Sequence, residues 1–112
     1  MALSVNTSGS QTAVIGTEHV LATITTANVF ELDVELVNMA GGTTPDILEI
    51  REYGKVRAAD TERLIKVYTI VGAQTELQFK TIARISPHHV KYTLKQTQGT
   101  GRAFAWAVYQ VQ

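Results

Sequence analysis

Three carboxylates recur at every second position in one short stretch: Glu31, Asp33 and Glu35. In an extended chain rising about 3.3 Å per residue, they share one face at intervals of about 6.6 Å. Carboxylate oxygens in that number suit a hard cation such as calcium. A straight strand, however, spreads its side chains in a row and does not converge them on a point. The plainer reading is a charged face matched by bases on a neighbouring strand, each pair worth a few tenths of a kcal/mol and at most about 1. Arg63, Lys91 and Lys95 are the expected complements, within a sheet or between subunits.

The remaining chemistry-bearing residues are sparse. His88 and His89 are adjacent, so on a strand they point to opposite faces and chelate poorly, and His19 is remote in sequence. With no cysteine, no second ligand pair completes a zinc set. The serines lie in the first ten residues or beside Pro87, with no G-x-S-x-G elbow to raise a nucleophile. Gly99-Thr100-Gly101 is short for a phosphate loop and lacks its lysine. Tyr92, Phe104, Trp106 and Tyr109 would form a sugar-stacking platform if exposed, although on alternating strands such aromatics usually build a core. No catalytic, cofactor-binding or metal-ligating set is expected, and the protein reads as a non-enzyme without a cofactor.

The elements that position these residues read as strands. Lys91–Thr97 and Arg102–Val111 alternate in polarity around Gln98-Gly99-Thr100-Gly101, which predicts a hairpin holding the only tryptophan. Asn28–Asn38 is the clearest strand, with Phe30, Leu32, Val34 and Leu36 facing inward. Glu18–Thr25 alternates less evenly, with Val20, Ala22 and Ile24 on one side and His19, Leu21 and Thr23 on the other. Ile47–Val56 offers Leu48 and Ile50, and its Gly54 signals a bulge or bend. Glu62–Val71 is apolar on both faces, which predicts cover on both sides. A short helix over Ala58–Lys66 is the alternative there. Thr75–Ile85 completes the set. These stretches predict an all-β fold, an antiparallel β-sandwich (jelly-roll-like or Ig-like) of about seven or eight strands. Residues 1–13, small and polar, predict a flexible N-terminal arm, or one ordered only by a partner, and residues 14–112 a single β-sandwich domain.

At 112 residues the chain is long enough to bury about two thirds of its unfolded surface without a disulfide or metal staple. The first residues have no basic stretch leading into an apolar run, so no signal peptide is expected, and nothing approaches the roughly 18 apolar residues of a membrane span. Charge is balanced overall but not along the chain. Residues 1–50 carry six acids and no base, and residues 51–112 carry ten bases against four acids. With no basic block or basic-aromatic platform, nucleic acid is not expected as a partner. Contacts between acidic and basic strands account for the split.

The segment TLKQTQGTGRAFAW, from Thr93 to Trp106, resembles the ending of small proteins encoded among the virion genes of tailed bacteriophages. Leu48-Glu49-Ile50-Arg51-Glu52-Tyr53-Gly54-Lys55-Val56 and Thr61-Glu62-Arg63-Leu64 fit the same pattern, so the likeness runs from about Phe30 to Trp106. The chain departs from the pattern at Pro45, where Gly is usual, and at Ala105, where Pro often stands. The resemblance implies a capsid decoration (cement) protein, or else a tail or head–tail component, located in the virion and assembled in the bacterial cytoplasm. The major capsid protein or other virion subunits would be its partners, and a homotrimer its favoured state. Ser4, Val5 and Asn6 of the arm, the three carboxylates, Arg63, Lys91, Lys95 and Arg102 are then the candidate interface residues. A carbohydrate-binding β-sandwich on a virion surface is the competing reading.

Overall fold

Nine strands and no helix make up the computed structural model, which describes residues 2–112, with burial alternating most regularly in the third and fourth strands. The strands are β1 (Leu3–Thr12), β2 (Glu18–Ile24), β3 (Asn28–Glu35), β4 (Ile47–Gly54), β5 (Arg63–Val71), β6 (Gln78–Lys80), β7 (Arg84–Ser86), β8 (Val90–Gln98) and β9 (Ala103–Val111). The first sheet runs β1-β9-β3-β6, with β7 also on β3, and the second runs β2-β8-β4-β5. All pairings are antiparallel. The two inner faces enclose one core, in which Phe30, Leu32, Leu48, Ile50, Tyr92, Leu94, Phe104 and Val108 are fully buried.

The pairing is nested. β1 pairs with β9, β2 with β8, β3 with β6 and β7, and β4 with β5. β6 and β7 are one strand interrupted at Thr81, whose N–H donates to Leu32 O at 2.9 Å while its hydroxyl accepts the Leu32 N–H at 3.0 Å. Counted together, they leave eight strands in two four-stranded sheets wound in the jelly-roll order. The expected sandwich is therefore present, with the Thr75–Ile85 strand divided in two.

That topology corrects the final hairpin. β8 and β9 lie in opposite sheets and do not pair; residues 99–102 carry the chain across the sandwich as an arch. Polarity alternation around a glycine turn has the same form whether two strands fold side by side or face to face. Gln96, fully buried, fastens the arch: its Nε2 donates to Gln98 O and Thr100 O, and its Oε1 accepts Arg102 N–H at 3.0 Å. Gly99 sits at φ 96°, and a Cβ there would overlap Asp46 Oδ1, so the turn needs glycine on both counts.

The expected N-terminal arm is likewise corrected. Residues 3–12 form the edge strand β1, paired with β9 from Leu3↔Val111 to Thr12↔Ala103. Small polar side chains have little to bury, but a backbone ladder does not depend on side-chain burial, and composition is blind to it. Gly9 lies opposite Trp106, and a Cβ there would stand 3.2 Å from the indole, so the ring lies half-buried against bare backbone.

β5 also departs from expectation. It is the exposed rim of the second sheet, paired only with β4, and not a strand covered on both faces. No helix forms over residues 58–66; Asp60 caps a turn, accepting Arg57 N–H and Nε, both at 3.0 Å, and β5 begins directly on β4. The register shift at Glu52/Tyr53 puts its extra residue, Ile65, on β5, and β4 itself passes Gly54 in continuous register with β8, so the bulge expected at Gly54 belongs to the neighbouring strand. In β2 a bulge between Val20 and Ala22 exposes Val20 and leaves Ala22 and Ile24 buried, because one extra residue reverses the facing of a strand.

Candidate functional site

The outer face of the first sheet carries a groove of about 580 Å³. Leu3, Val29, Tyr109 and Val111 supply its apolar wall, and Glu31, Asp33, Gln78 and Lys80 its polar one. Alternation places them there: as Phe30, Leu32 and Val34 turn into the core, Val29, Glu31 and Asp33 turn outward. Register sets Glu31 opposite Tyr109 on one side and Asp33 opposite Lys80 on the other.

The groove's charges are asymmetric. Lys80 Nζ lies 2.6 Å from Asp33 Oδ2 and 3.5 Å from Glu31 Oε2, so one ammonium serves two carboxylates. The hydrogen bond with Asp33, then burial and the repulsion of its charge, raise the Glu31 pKa above the ordinary range despite Lys80. The hydrogen bond to Asp33 in turn raises the Lys80 pKa. Asp33 Oδ1 is buried without a partner in the protein. Two acceptors with spare capacity, one ammonium, an amide and a phenol ring can bind a polyol or an amine. Among the described residues, no serine, threonine, cysteine or histidine lines the groove.

Within the chain, the expected match of the acidic row with Arg63, Lys91 and Lys95 is not made. β3 belongs to the first sheet, whereas β5 and β8 belong to the second. Glu31 and Asp33 take Lys80, and Glu35 lies opposite Gln78. Lys91 pairs with Glu62 at 2.7 Å and stands over the Tyr53 ring at 4.3 Å. Lys95 lies between Glu18 and Glu49 in the ladder, and Arg63 is exposed at the start of β5. Arg102 reaches the buried Asp46 at 2.8 Å. On β1, Ser4 is opposite Gln110, Asn6 donates to the Gln110 side chain at 2.9 Å, and Val5 points to solvent. The charge split is largely resolved inside the chain, since Glu18, Glu31, Asp33, Asp46 and Glu49 all pair with bases of the second half.

A second polar network lies on the outside of the second sheet. Glu18 accepts from Tyr53 Oη at 2.5 Å, Thr93 Oγ1 at 2.7 Å and Arg51 at 3.3 Å. Burial works to raise its pKa, but these donors outweigh it and hold the carboxyl below the ordinary range. Arg51 also binds Glu49 at 2.9 Å. Glu62 joins Lys91 to His89, and His19 contacts Val14 N and the Gln11 amide. The acceptors here meet donors from neighbouring strands, so the network ties β2, β4 and β8 together. No group of three or more His, Cys, Asp or Glu side chains that could hold a metal ion occurs among the described residues.

Of the aromatics, Tyr92 and Phe104 are core and Trp106 packs against it, which leaves Tyr109 at the groove. Its outward position follows from alternation in β9, whereas the pairing of Lys80 with the carboxylates depends on which strand lies beside β3. A further surface is the β5 rim, where Leu64, Val67 and Val71 are 48%, 36% and 52% exposed. No protein-family model, curated protein or solved structure matches the chain.

Proposed function

We propose that this chain is a non-enzymatic structural subunit of a tailed-bacteriophage virion, a decoration protein that binds and stabilises the head lattice. The observation that carries the reading is the β5 rim. It is a nine-residue edge strand with four exposed apolar side chains, Leu64, Ile65, Val67 and Val71, no proline, and only Arg63 and Lys66 as charges. Edges of that kind invite pairing with another chain, and solitary proteins usually guard them. The jelly-roll order supports the reading at the level of fold, because viral capsid domains use it, although a fold alone does not carry function. The likeness of residues 30–106 to phage virion proteins supplies the particular assembly. The partners are the major capsid protein or other virion subunits, with a homotrimer as the working state. A tail or head–tail position is the variant reading.

The test is to purify the full chain, measure its mass in solution, and add it to phage heads lacking it. Ordered extra density on the head lattice by electron microscopy supports the proposal. Binding only to tails or necks moves the protein there. A monomer that binds no virion part ends the reading.

The groove favours a second reading, a carbohydrate-binding module on a virion surface. Tyr109 beside Glu31, Asp33 and Gln78 combines a ring face with hydroxyl acceptors, the usual composition of a polar ligand cleft. A glycan array probed with wild type and Tyr109→Ala tests it; no binding by the wild type removes it.

A further inference from the structure

At one end of the sandwich, β4 and β8 of the second sheet face β7 of the first across a cavity of about 60 Å³, whose outer part is lined by the exposed Ile65 and Ile85 and opens to solvent. Glu52, Ser86 and Tyr92 line it together with Arg84. The first three are almost wholly enclosed, at 1%, 7% and 0% exposure. Each carries a polar atom with no hydrogen-bond partner in the protein: Glu52 Oε2, Ser86 Oγ and Tyr92 Oη. Thr81, whose hydroxyl accepts the Leu32 N–H at 3.0 Å, is a neighbour of the Tyr92 phenol, but the two hydroxyls do not reach hydrogen-bond geometry, which leaves Tyr92 Oη with spare capacity toward the cavity.

One such orphan shifts a folding equilibrium by about 5- to 150-fold against the native state. Three on the wall of one small cavity multiply that penalty and would leave a domain of this size barely folded. Something inside the cavity therefore meets them. A metal cation does not fit, because Arg84 Nε already donates to Glu52 Oε1 at 3.0 Å and balances the carboxylate. A further positive charge would be buried without compensation. An anion would face Glu52 Oε2. The occupant must be neutral, able both to donate and to accept, and small. Water occupies about 30 Å³ and takes two to four polar partners when buried.

We infer that the inner end of this cavity is a hydration site for a few long-lived water molecules, which join Glu52 and Tyr92 of one sheet to Ser86 of the other. A water hydrogen meets Glu52 Oε2, and the two hydroxyls donate to or accept from the same waters. The water replaces side-chain packing as the fastening between the sheets at this end.

Water oxygen-17 and deuteron relaxation dispersion on the wild-type protein tests this without any variant. The expected result is a dispersion step from at least one water with a residence time far longer than those of surface solvent. Tyr92→Phe and Ser86→Ala should each reduce that step and lower the Tm by a few degrees. An absent step, together with variants that melt higher than wild type, would overturn the inference, because deleting an unpartnered hydroxyl from a dry cavity relieves a penalty. A Tm that rises on exchanging one alkali cation for another at constant ionic strength would also overturn it, by identifying the occupant as an ion.

Discussion

Arg102 Nε donates to Asp46 Oδ2 at 2.8 Å, joining residues 56 positions apart at the corner where the chain crosses between sheets. Asp46 is 2% exposed, and its carboxylate also accepts the N–H groups of Ala40 at 2.9 Å and Thr100 at 3.2 Å. Its own backbone binds Ala40 O and Gly72 N–H. One residue thus fastens the loop before β4 and the β8–β9 arch through its side chain, and the turn after β5 through its backbone.

Replacing Asp46 by Ala leaves three donors facing an apolar methyl. Loss of one member of a buried, hydrogen-bonded ion pair costs about 3–5 kcal/mol, and Arg102, at 31% side-chain exposure, can recover part of that from solvent. A destabilisation of about 3 kcal/mol is expected in urea unfolding, with Gly99→Ala comparable because its methyl meets the same carboxylate at a positive φ. A loss under about 1 kcal/mol for both would show that the corner is not a stability centre.

The same carboxylate sets part of the acid limit. Burial works to raise the Asp46 pKa, but Ala40 N–H, Arg102 and Thr100 N–H outweigh it and hold it below the ordinary 3.8. Glu18 and Glu62 are likewise held below the ordinary 4.5. Their contribution is complete above those ordinary values and is lost as pH falls through the depressed folded ones. Glu52, raised by burial, and Glu31, raised first by its hydrogen bond with Asp33, act in the opposite sense, losing their contribution as pH rises through their folded values. Unfolding free energy should therefore fall steeply below about pH 4, and Asp46→Asn should flatten that slope. An unchanged slope in the variant would assign the acid limit to other groups.

Removal of residues 2–12 should strip β1 from β9 and uncover one side of Trp106. The truncated chain should melt more than about 10 °C lower, at roughly 4–8 °C per kcal/mol, with its tryptophan emission shifted to the red. An unchanged Tm and spectrum would make β1 an appendage of the kind its composition suggests.

Lys80→Ala leaves Glu31 and Asp33 facing each other without the ammonium. Lys80 is half-exposed, so the expected loss near neutral pH is modest, at most about 1 kcal/mol, and smaller in high salt. Below about pH 4 the variant should approach wild type, because a protonated carboxyl no longer repels its neighbour. A loss independent of both salt and pH would show that Lys80 acts through packing.

The core was more legible than the topology. Phe30, Leu32, Val34, Leu48 and Ile50 announce their burial through a period of two, since each element buries one face locally. Partner choice is non-local. Nothing in Lys91–Gln112 distinguishes a hairpin from an arch, and nothing between Glu31 and Glu35 says that Lys80 is the neighbour and Lys91 lies in the other sheet. β5 illustrates the same limit, because an apolar strand covered on both faces and an apolar strand at a bare rim have one pattern. β1 is the converse, a strand held by its backbone with almost no apolar signature.

The bare rim can be tested directly. Val67 is the central residue of β5 and points outward, so Val67→Lys places a charge where a second strand would dock. Edge lysines act this way in natural sheets by making a paired strand bury an ammonium. At 36% exposure the substitution should cost the isolated fold no more than about 1 kcal/mol, leaving the Tm near that of wild type. Sedimentation of the full chain should then show wild-type oligomers dissociated in the variant, with binding to phage heads lost in parallel. If the variant keeps both its mass and its binding, the subunit contacts lie elsewhere, and the groove face with Val5, Glu31 and Tyr109 becomes the surface to alter.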